Sequence, residues 1–196
     1  DASDNTSEFS AVARVANAPF DFDGDLKTDI SIFRPSAGEW WINRSSNALT
    51  IAAQFGAGSD KITPADFTGD GKTDVAFWRP ATGEWFILRS DDGSFFSFPF
   101  GTSGDIPVPA DYDGDGAADI AVFRPSEGVW YRKNSSDGTI SINKWGSSGD
   151  VPVAADLDGD DRADLAVFRP GENNWYWLSS LNEQVHIVSF GLSGDV

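Results

Sequence analysis

Residues 111–125 read Asp111-Tyr112-Asp113-Gly114-Asp115-Gly116-Ala117-Ala118-Asp119 and then Ile120-Ala121-Val122-Phe123-Arg124-Pro125. An acidic loop runs directly into a short apolar segment that stops at Arg-Pro. The same segment opens at Asp21, Asp66, Asp111 and Asp156, successive copies lying 45 residues apart with no insertion. The step also carries Phe33-Arg34-Pro35 onto Trp78-Arg79-Pro80, Phe123-Arg124-Pro125 and Phe168-Arg169-Pro170. It carries Trp40 onto Trp85, Trp130 and Trp175, and Phe55-Gly56 onto Phe100-Gly101, Trp145-Gly146 and Phe190-Gly191. Asp60, Asp105, Asp150 and Asp195 keep the same register. Register at this many positions in four copies defines an internal repeat, and a period of this length belongs to solenoids, propellers or arrays.

Each copy reads as four short strands. In one of them they are Val151 to Ala155, Leu165 to Phe168, Trp175 to Leu178 and Val185 to Phe190, punctuated by clusters such as Pro170-Gly171-Glu172-Asn173-Asn174. No window carries a helical period. The second strand is apolar on both faces, with a small residue (Ser31, Ala76, Ala121 or Ala166) at its second position. A strand apolar on both sides is buried on both sides, and the small residue lets a neighbouring sheet approach. Four strands in roughly 40–50 residues make a propeller blade. The predicted fold is all-β, a β-propeller of four-stranded antiparallel blades over residues 17–196. Residues 1–16 form an N-terminal extension that clasps the ring or is donated to a neighbour, and the strand of the first copy falls around Ala18-Pro19-Phe20. Four blades close a minimal ring; two chains, or a longer parent chain, would close a larger one.

The loops follow Asp-x-Asp-x-Asp-x-x-x-Asp: Asp21, Asp23, Asp25, Asp29; Asp66, Thr68, Asp70, Asp74; Asp111, Asp113, Asp115, Asp119; and Asp156, Asp158, Asp160, Asp164. Alternate carboxylates in a tight turn converge on one point. The carbonyls of Lys27, Lys72, Ala117 and Arg162, at position seven, can add a ligand. Hard oxygen donors at this density suit Ca²⁺ over Zn²⁺ or Mg²⁺, up to four ions, one per repeat. These are not EF-hands, since position twelve is Ile32, Phe77, Val122 or Val167 within a strand and not a bidentate Glu. Position six requires positive φ, supplied by Gly71 and Gly116, tolerated by Asp161, and reached by Leu26 only with strain. The third loop is therefore expected to bind most tightly, and the second, with Thr68, less well.

These residues resemble the FG-GAP or VCBS-type repeat, a family that includes the calcium-binding blades of integrin α-subunit propellers and a group of propeller lectins. The resemblance implies the propeller fold and Ca²⁺, and covers residues 17–196. It leaves function open among adhesion modules, lectins and passengers attached to enzymes.

Composition bounds the rest. Fifteen of the 31 acidic residues occupy the loops, and four divalent ions, adding eight charges, would bring the net charge from −17 to −9. A charge of −17 argues against nucleic acid and anionic membrane surfaces, and the apolar runs are too short to span a bilayer. There is no cysteine, so no disulfide framework or thiolate site, and no methionine. Together these lead to the expectation of an extracellular chain, secreted with its leader removed or a fragment of something longer. Three Asn-x-Ser/Thr sequons stand at Asn5, Asn43 and Asn134. Arg34, Arg79, Arg124 and Arg169 are expected to bridge to an Asp of the same repeat, in the Gly-Asp or Ser-Asp corner or in the loop. The repeated tryptophans are expected to pack, leaving Trp41 and Trp177 as better ligand-surface candidates. Glu39, Glu84, Glu127 and Glu172 belong to one surface turn rather than a catalytic pair across a cleft, and His186, the only histidine, has no evident partner. The expectation is a non-catalytic Ca²⁺-binding module for adhesion or assembly, with self-association or a protein or glycan ligand. The alternative is a carbohydrate-binding propeller lectin.

Overall fold

The computed structural model describes residues 18–192, so the expectation for residues 1–16 lies outside the described residues. The chain forms fifteen strands and no helix among these residues. The first blade holds β1 (Ile30–Arg34), β2 (Glu39–Asn43) and β3 (Thr50–Gln54). The second holds β4 (Lys61–Ile62), β5 (Val75–Arg79), β6 (Glu84–Leu88) and β7 (Phe95–Pro99). The third holds β8 (Ile106–Pro107), β9 (Ile120–Arg124), β10 (Val129–Lys133) and β11 (Ile140–Lys144). The fourth holds β12 (Val151–Ala155), β13 (Asp164–Arg169), β14 (Asn174–Leu178) and β15 (Val185–Ser189). Every neighbouring pair is antiparallel and every blade is an up-and-down meander in chain order. The chain is a four-blade β-propeller array, as the period implies.

One strand differs from expectation. Ala18-Pro19-Phe20 is a turn, with Phe20 at φ 58°. Its backbone keeps one rung of the expected ladder, Asp29 N–H to Phe20 O at 2.9 Å, matching Asp74 to Ala65 and Asp119 to Ala110 at 2.8 Å. In the second and third blades the paired part of this strand begins four residues before that rung. The corresponding part of the first copy precedes the described residues.

Packing follows the two-faced pattern of the second strands. Phe33, Trp78, Phe123 and Phe168 sit directly across from Trp40, Trp85, Trp130 and Trp175. Trp40, Trp85 and Trp130 are fully buried, so packing is their role. The buried residues fall into three clusters, each made by one blade's downstream face and the next blade's upstream face. Ala76, Ala121 and Ala166 admit the neighbouring sheet and are buried to 1% exposure or less. Burying a large aromatic in this way stabilises by roughly 2–3 kcal/mol each, and it fixes the height and angle of the acidic loops at one end of the blades.

The Phe-Gly pairs act as latches. The Trp40 indole N–H donates to Phe55 O at 2.9 Å, Trp85 to Phe100 O at 3.0 Å and Trp130 to Trp145 O at 2.9 Å. The glycine that follows takes φ between 105° and 121° in all four copies, a region closed to side chains.

Candidate metal loops and the grooves between blades

The acidic loops join the first and second strands of each blade, and their backbone obeys a common rule. Position six has positive φ in all four: Leu26 at 67°, Gly71 at 83°, Gly116 at 94° and Asp161 at 66°. Position four does too, and there the residue is always glycine: Gly24, Gly69, Gly114 and Gly159 at 70–84°. The turn is wound around the first carboxylate. Asp21 accepts from the N–H groups of Gly24 and Leu26 at 2.7 Å, and Asp111 from Gly114 at 2.5 Å and Gly116 at 2.8 Å. Asp66 and Asp156 do the same at their own positions four and six.

The ninth carboxylate ties the loop to the rest of its blade. Asp29, Asp74, Asp119 and Asp164 each accept from the second residue of the loop at 2.8–2.9 Å. Each also accepts, at 2.7 Å, from the N–H of a serine just beyond the third strand: Ser45, Ser90, Ser135 or Ser180. The same serine hydroxyls donate to the fifth carboxylate, Asp25, Asp70, Asp115 or Asp160. Sequence reading missed these serines, although they recur at the 45-residue step.

Three of the four loops gather three carboxylate oxygens within 4.8 Å of one another: Asp21, Asp23 and Asp29; Asp111, Asp113 and Asp115; Asp156, Asp158 and Asp164. In the second loop, among the described residues, Thr68 leaves no such trio. The trios differ in membership, and so does position seven. The Lys27 ammonium lies 3.3 Å from Asp25, and the Arg162 guanidinium 2.7 Å from Asp160, and both position-five carboxylates stand outside their trios. Ala117 has no charge to offer, and Asp115 stays in. The Ser45 hydroxyl and Lys27 hold the Asp25 carboxyl below its ordinary pKa. Burial pushes the Asp66, Asp74 and Asp119 carboxyls above it.

The donor set fits a hard cation. Asp23 Oδ1 and Asp158 Oδ1 are buried and, among the described residues, have no hydrogen-bond partner. A buried anionic oxygen without a donor is costly, and each belongs to a trio with room for an ion between its oxygens. Loops also touch in series: the position-eight N–H of Thr73, Ala118 and Ala163 donates at 2.6–2.7 Å to the position-one carbonyl of the preceding loop, Asp21, Asp66 or Asp111.

Three of the four repeated arginines hold a corner aspartate, though not one of the same repeat as expected. Arg79 holds Asp60 through two bonds of 2.9 Å, Arg124 holds Asp105 at 2.8 and 3.0 Å, and Arg169 holds Asp150 at 2.8 and 2.9 Å. The partner lies just ahead of the blade's own first strand, 19 residues upstream, and so comes from the preceding 45-residue copy rather than the same one. Nineteen residues before Arg34 stands Val15, so Arg34 lacks this partner; it lies over Trp41 at 4.4 Å and 3.8 Å from Glu39. Glu127 and Glu172 brace Arg124 and Arg169 at 3.6 Å. Trp177 stacks on His186 at 4.8 Å.

Equivalent grooves separate consecutive blades beside the loops. Between blades one and two a cavity of about 380 Å³ is lined by Phe22, Ile42, Arg44, Lys72 and Ser90. Between two and three, about 270 Å³ is lined by Phe67, Phe96, Phe98, Lys133 and Ser135. Between three and four, about 200 Å³ is lined by Tyr112, Arg132, Asn143, Arg162 and Ser180. Arg44 Nε and Arg132 Nε are buried without an acceptor among the described residues.

Repeating meander blades, the tryptophan latch and an Asp-rich loop per blade define an acidic-loop type of β-propeller repeat. The FG-GAP-like repeat family matches residues 21–77, 66–122 and 111–167, and the chain belongs to it. No curated protein matches the sequence. Among solved structures, an Agrocybe aegerita lectin described as recognising non-reducing terminal N-acetylglucosamine superposes with a TM-score of 0.59 at 19% identity, covering 85% of this chain and 50% of that one. A streptogramin B lyase superposes at 0.57 and 14% identity, covering 83% and 51%. A virginiamycin B lyase from Staphylococcus aureus superposes at 0.55 and 13%, covering 84% and 53%. The chain spans about half the length of these structures. A lectin and two lyases share the fold, so the fold alone does not decide between binding and catalysis.

Proposed function

We propose that the chain is a non-catalytic, extracellular calcium-binding propeller module that serves adhesion or structural assembly. The observation that carries this reading is the trio of Asp21, Asp23 and Asp29 with its unpartnered Asp23 Oδ1. The trios around Asp111 and Asp156 repeat it. Calcium would be held by these carboxylates, by Asp25, Asp70, Asp74, Asp119 and Asp160 around them, and by the carbonyls of Lys27, Lys72, Ala117 and Arg162. Its role here is to join loop to strand in blades that contain no cysteine. Glu39, Glu84, Glu127 and Glu172 serve the arginine corners and His186 stacks on Trp177, which supports a non-catalytic reading. Calorimetric titration of the chelator-treated chain with calcium tests it. Three strong sites and a weaker fourth are expected; no uptake would refute it.

The three grooves favour a second reading, a carbohydrate-binding propeller. The aromatic faces of Phe96 and Phe98 and the cationic side chains of Lys72, Lys133 and Arg162 that line these grooves suit a sugar ring and its oxygens. A glycan array with calcium present tests this reading, and binding that survives Phe96→Ala, Arg44→Ala and Arg132→Ala would remove the grooves from it.

A further inference from the structure

The three grooves between blades use the same repeat positions and fill them with different side chains. Phe96 on β7 lies 45 residues after Ile51, which lines the groove between blades one and two. Phe98 lies 45 residues before Asn143, which lines the groove between blades three and four. Lys133, at the end of β10, stands where the outer grooves have Leu88 and Leu178. Leucine satisfies that position in both other joints, so packing does not call for the lysine. The Phe96 and Phe98 rings lie nearly parallel, 13° apart in plane with centroids 5.8 Å apart. Phe96 is 39% exposed, so part of this aromatic pair is open to solvent. The Lys133 ammonium lies 5.2 Å from the centre of the Phe98 ring. Among the described residues it forms no ion pair, in a chain that carries 31 acidic residues. The lining of this groove holds no carboxylate, whereas Asp23 lines the groove before it and Glu183 the groove after. The aromatic members of those two, Phe22 and Tyr112, are buried and present no open ring.

We propose that the groove between blades two and three binds an acidic sugar, a pyranose ring that bears a carboxylate. The proposal rests on the carbohydrate reading above and names its ligand class. The apolar C–H face of the ring packs on the Phe96 and Phe98 pair, because aromatic side chains supply large, flat apolar contact. The carboxylate accepts a charge-assisted hydrogen bond from the Lys133 ammonium, whose present contact is a weaker one with a ring face. The Asn134 amide, in the same lining, can both donate to and accept from the sugar hydroxyls. A volume of about 270 Å³ suits one residue of a glycan rather than a longer stretch. An inorganic anion would leave the rings unused, and a neutral sugar would leave the lysine unused.

The test is an NMR titration of the chain, free of N-linked glycan at Asn134, in calcium and about 0.15 M salt to screen distant charge. It compares methyl β-glucuronide with methyl β-glucoside, which differ only by a carboxylate in place of a hydroxymethyl group. The glucuronide should bind more tightly by about tenfold or more. Lys133→Met should bring the two sugars to equal affinity, and Lys133→Arg should keep the preference. Phe96→Leu should weaken both sugars by about threefold or more. Should Lys133→Met fail to fold, Lys133→Leu, the residue of the other two joints, carries the same arm. Equal affinity of the unaltered chain for the two sugars would overturn the acidic ligand and leave the carbohydrate reading intact. No binding of either sugar would overturn the proposal, and a silent glycan array besides would end the carbohydrate reading too. A preference that survives Lys133→Met, or an affinity indifferent to Phe96→Leu, would overturn this groove as the site.

Discussion

Arg124 holds Asp105 in a two-pronged grip, Nε to Oδ1 at 2.8 Å and Nη2 to Oδ2 at 3.0 Å, while its guanidinium lies 4.3 Å over the Tyr131 ring. Asp105 also accepts from the Thr102 N–H at 2.9 Å, so the crossing between two blades is tied to the second strand of the latter. The Asp105 side chain is 1% exposed. Asp105→Asn should cost about 2–4 kcal/mol, on the low side of what breaking a buried ion pair costs because Arg124 is partly in water. Arg34→Ala, at the one corner where the sequence has Val15 in place of the upstream aspartate, should cost less than about 1 kcal/mol. Denaturant unfolding of both variants checks the contrast.

Two glycines with nearly the same backbone should respond differently to the same change. Gly83 and Gly93 both have φ of 71°. A Cβ at Gly83 would meet the Gly101 carbonyl oxygen at 2.4 Å, whereas one at Gly93 would have nothing within 4 Å. Gly93→Ala should therefore cost only the left-handed strain, roughly 1 kcal/mol. Gly83→Ala must also push apart the turn and the Phe100-Gly101 latch, and should cost at least twice as much. Equal losses in thermal unfolding would disprove the clash.

Site strength should follow the chemistry of positions three and seven. Asp113→Ala removes a charged member of the third trio and should weaken calcium binding there by at least tenfold, about 1.4 kcal/mol. Thr68→Ala in the second loop should change uptake little. Ala117→Lys would place an ammonium beside Asp115, as Lys27 stands beside Asp25, and should also weaken the third site. Calorimetric titration reads all three.

Much of this was legible because the repeat is exact in length. Strand limits, the buried tryptophans, positive φ at Leu26 and Asp161, and three of the four arginine corners follow from register alone. The serines that lock the loops were equally periodic, but Ser45 and Ser90 sit in a turn whose polarity already explains a serine, so the signal passed unread. The split between trios was not legible: that the Lys27 ammonium pairs with Asp25 depends on where its side chain lies. Nor could period alone show how exposed each copy of a position is. Ile32 and Phe77 stand at the same position of the repeat, yet Ile32 is 51% exposed and Phe77 3%.

Thermal unfolding with excess calcium and with excess chelator tests the central claim most directly. Ions that bind the folded loops and not the unfolded chain stabilise by mass action, and several linked sites in a domain of this size should shift the midpoint by more than about ten degrees. A calcium-dependent rise of that order, not reproduced by magnesium, is the predicted result. Superimposed curves in calcium and chelator would contradict it.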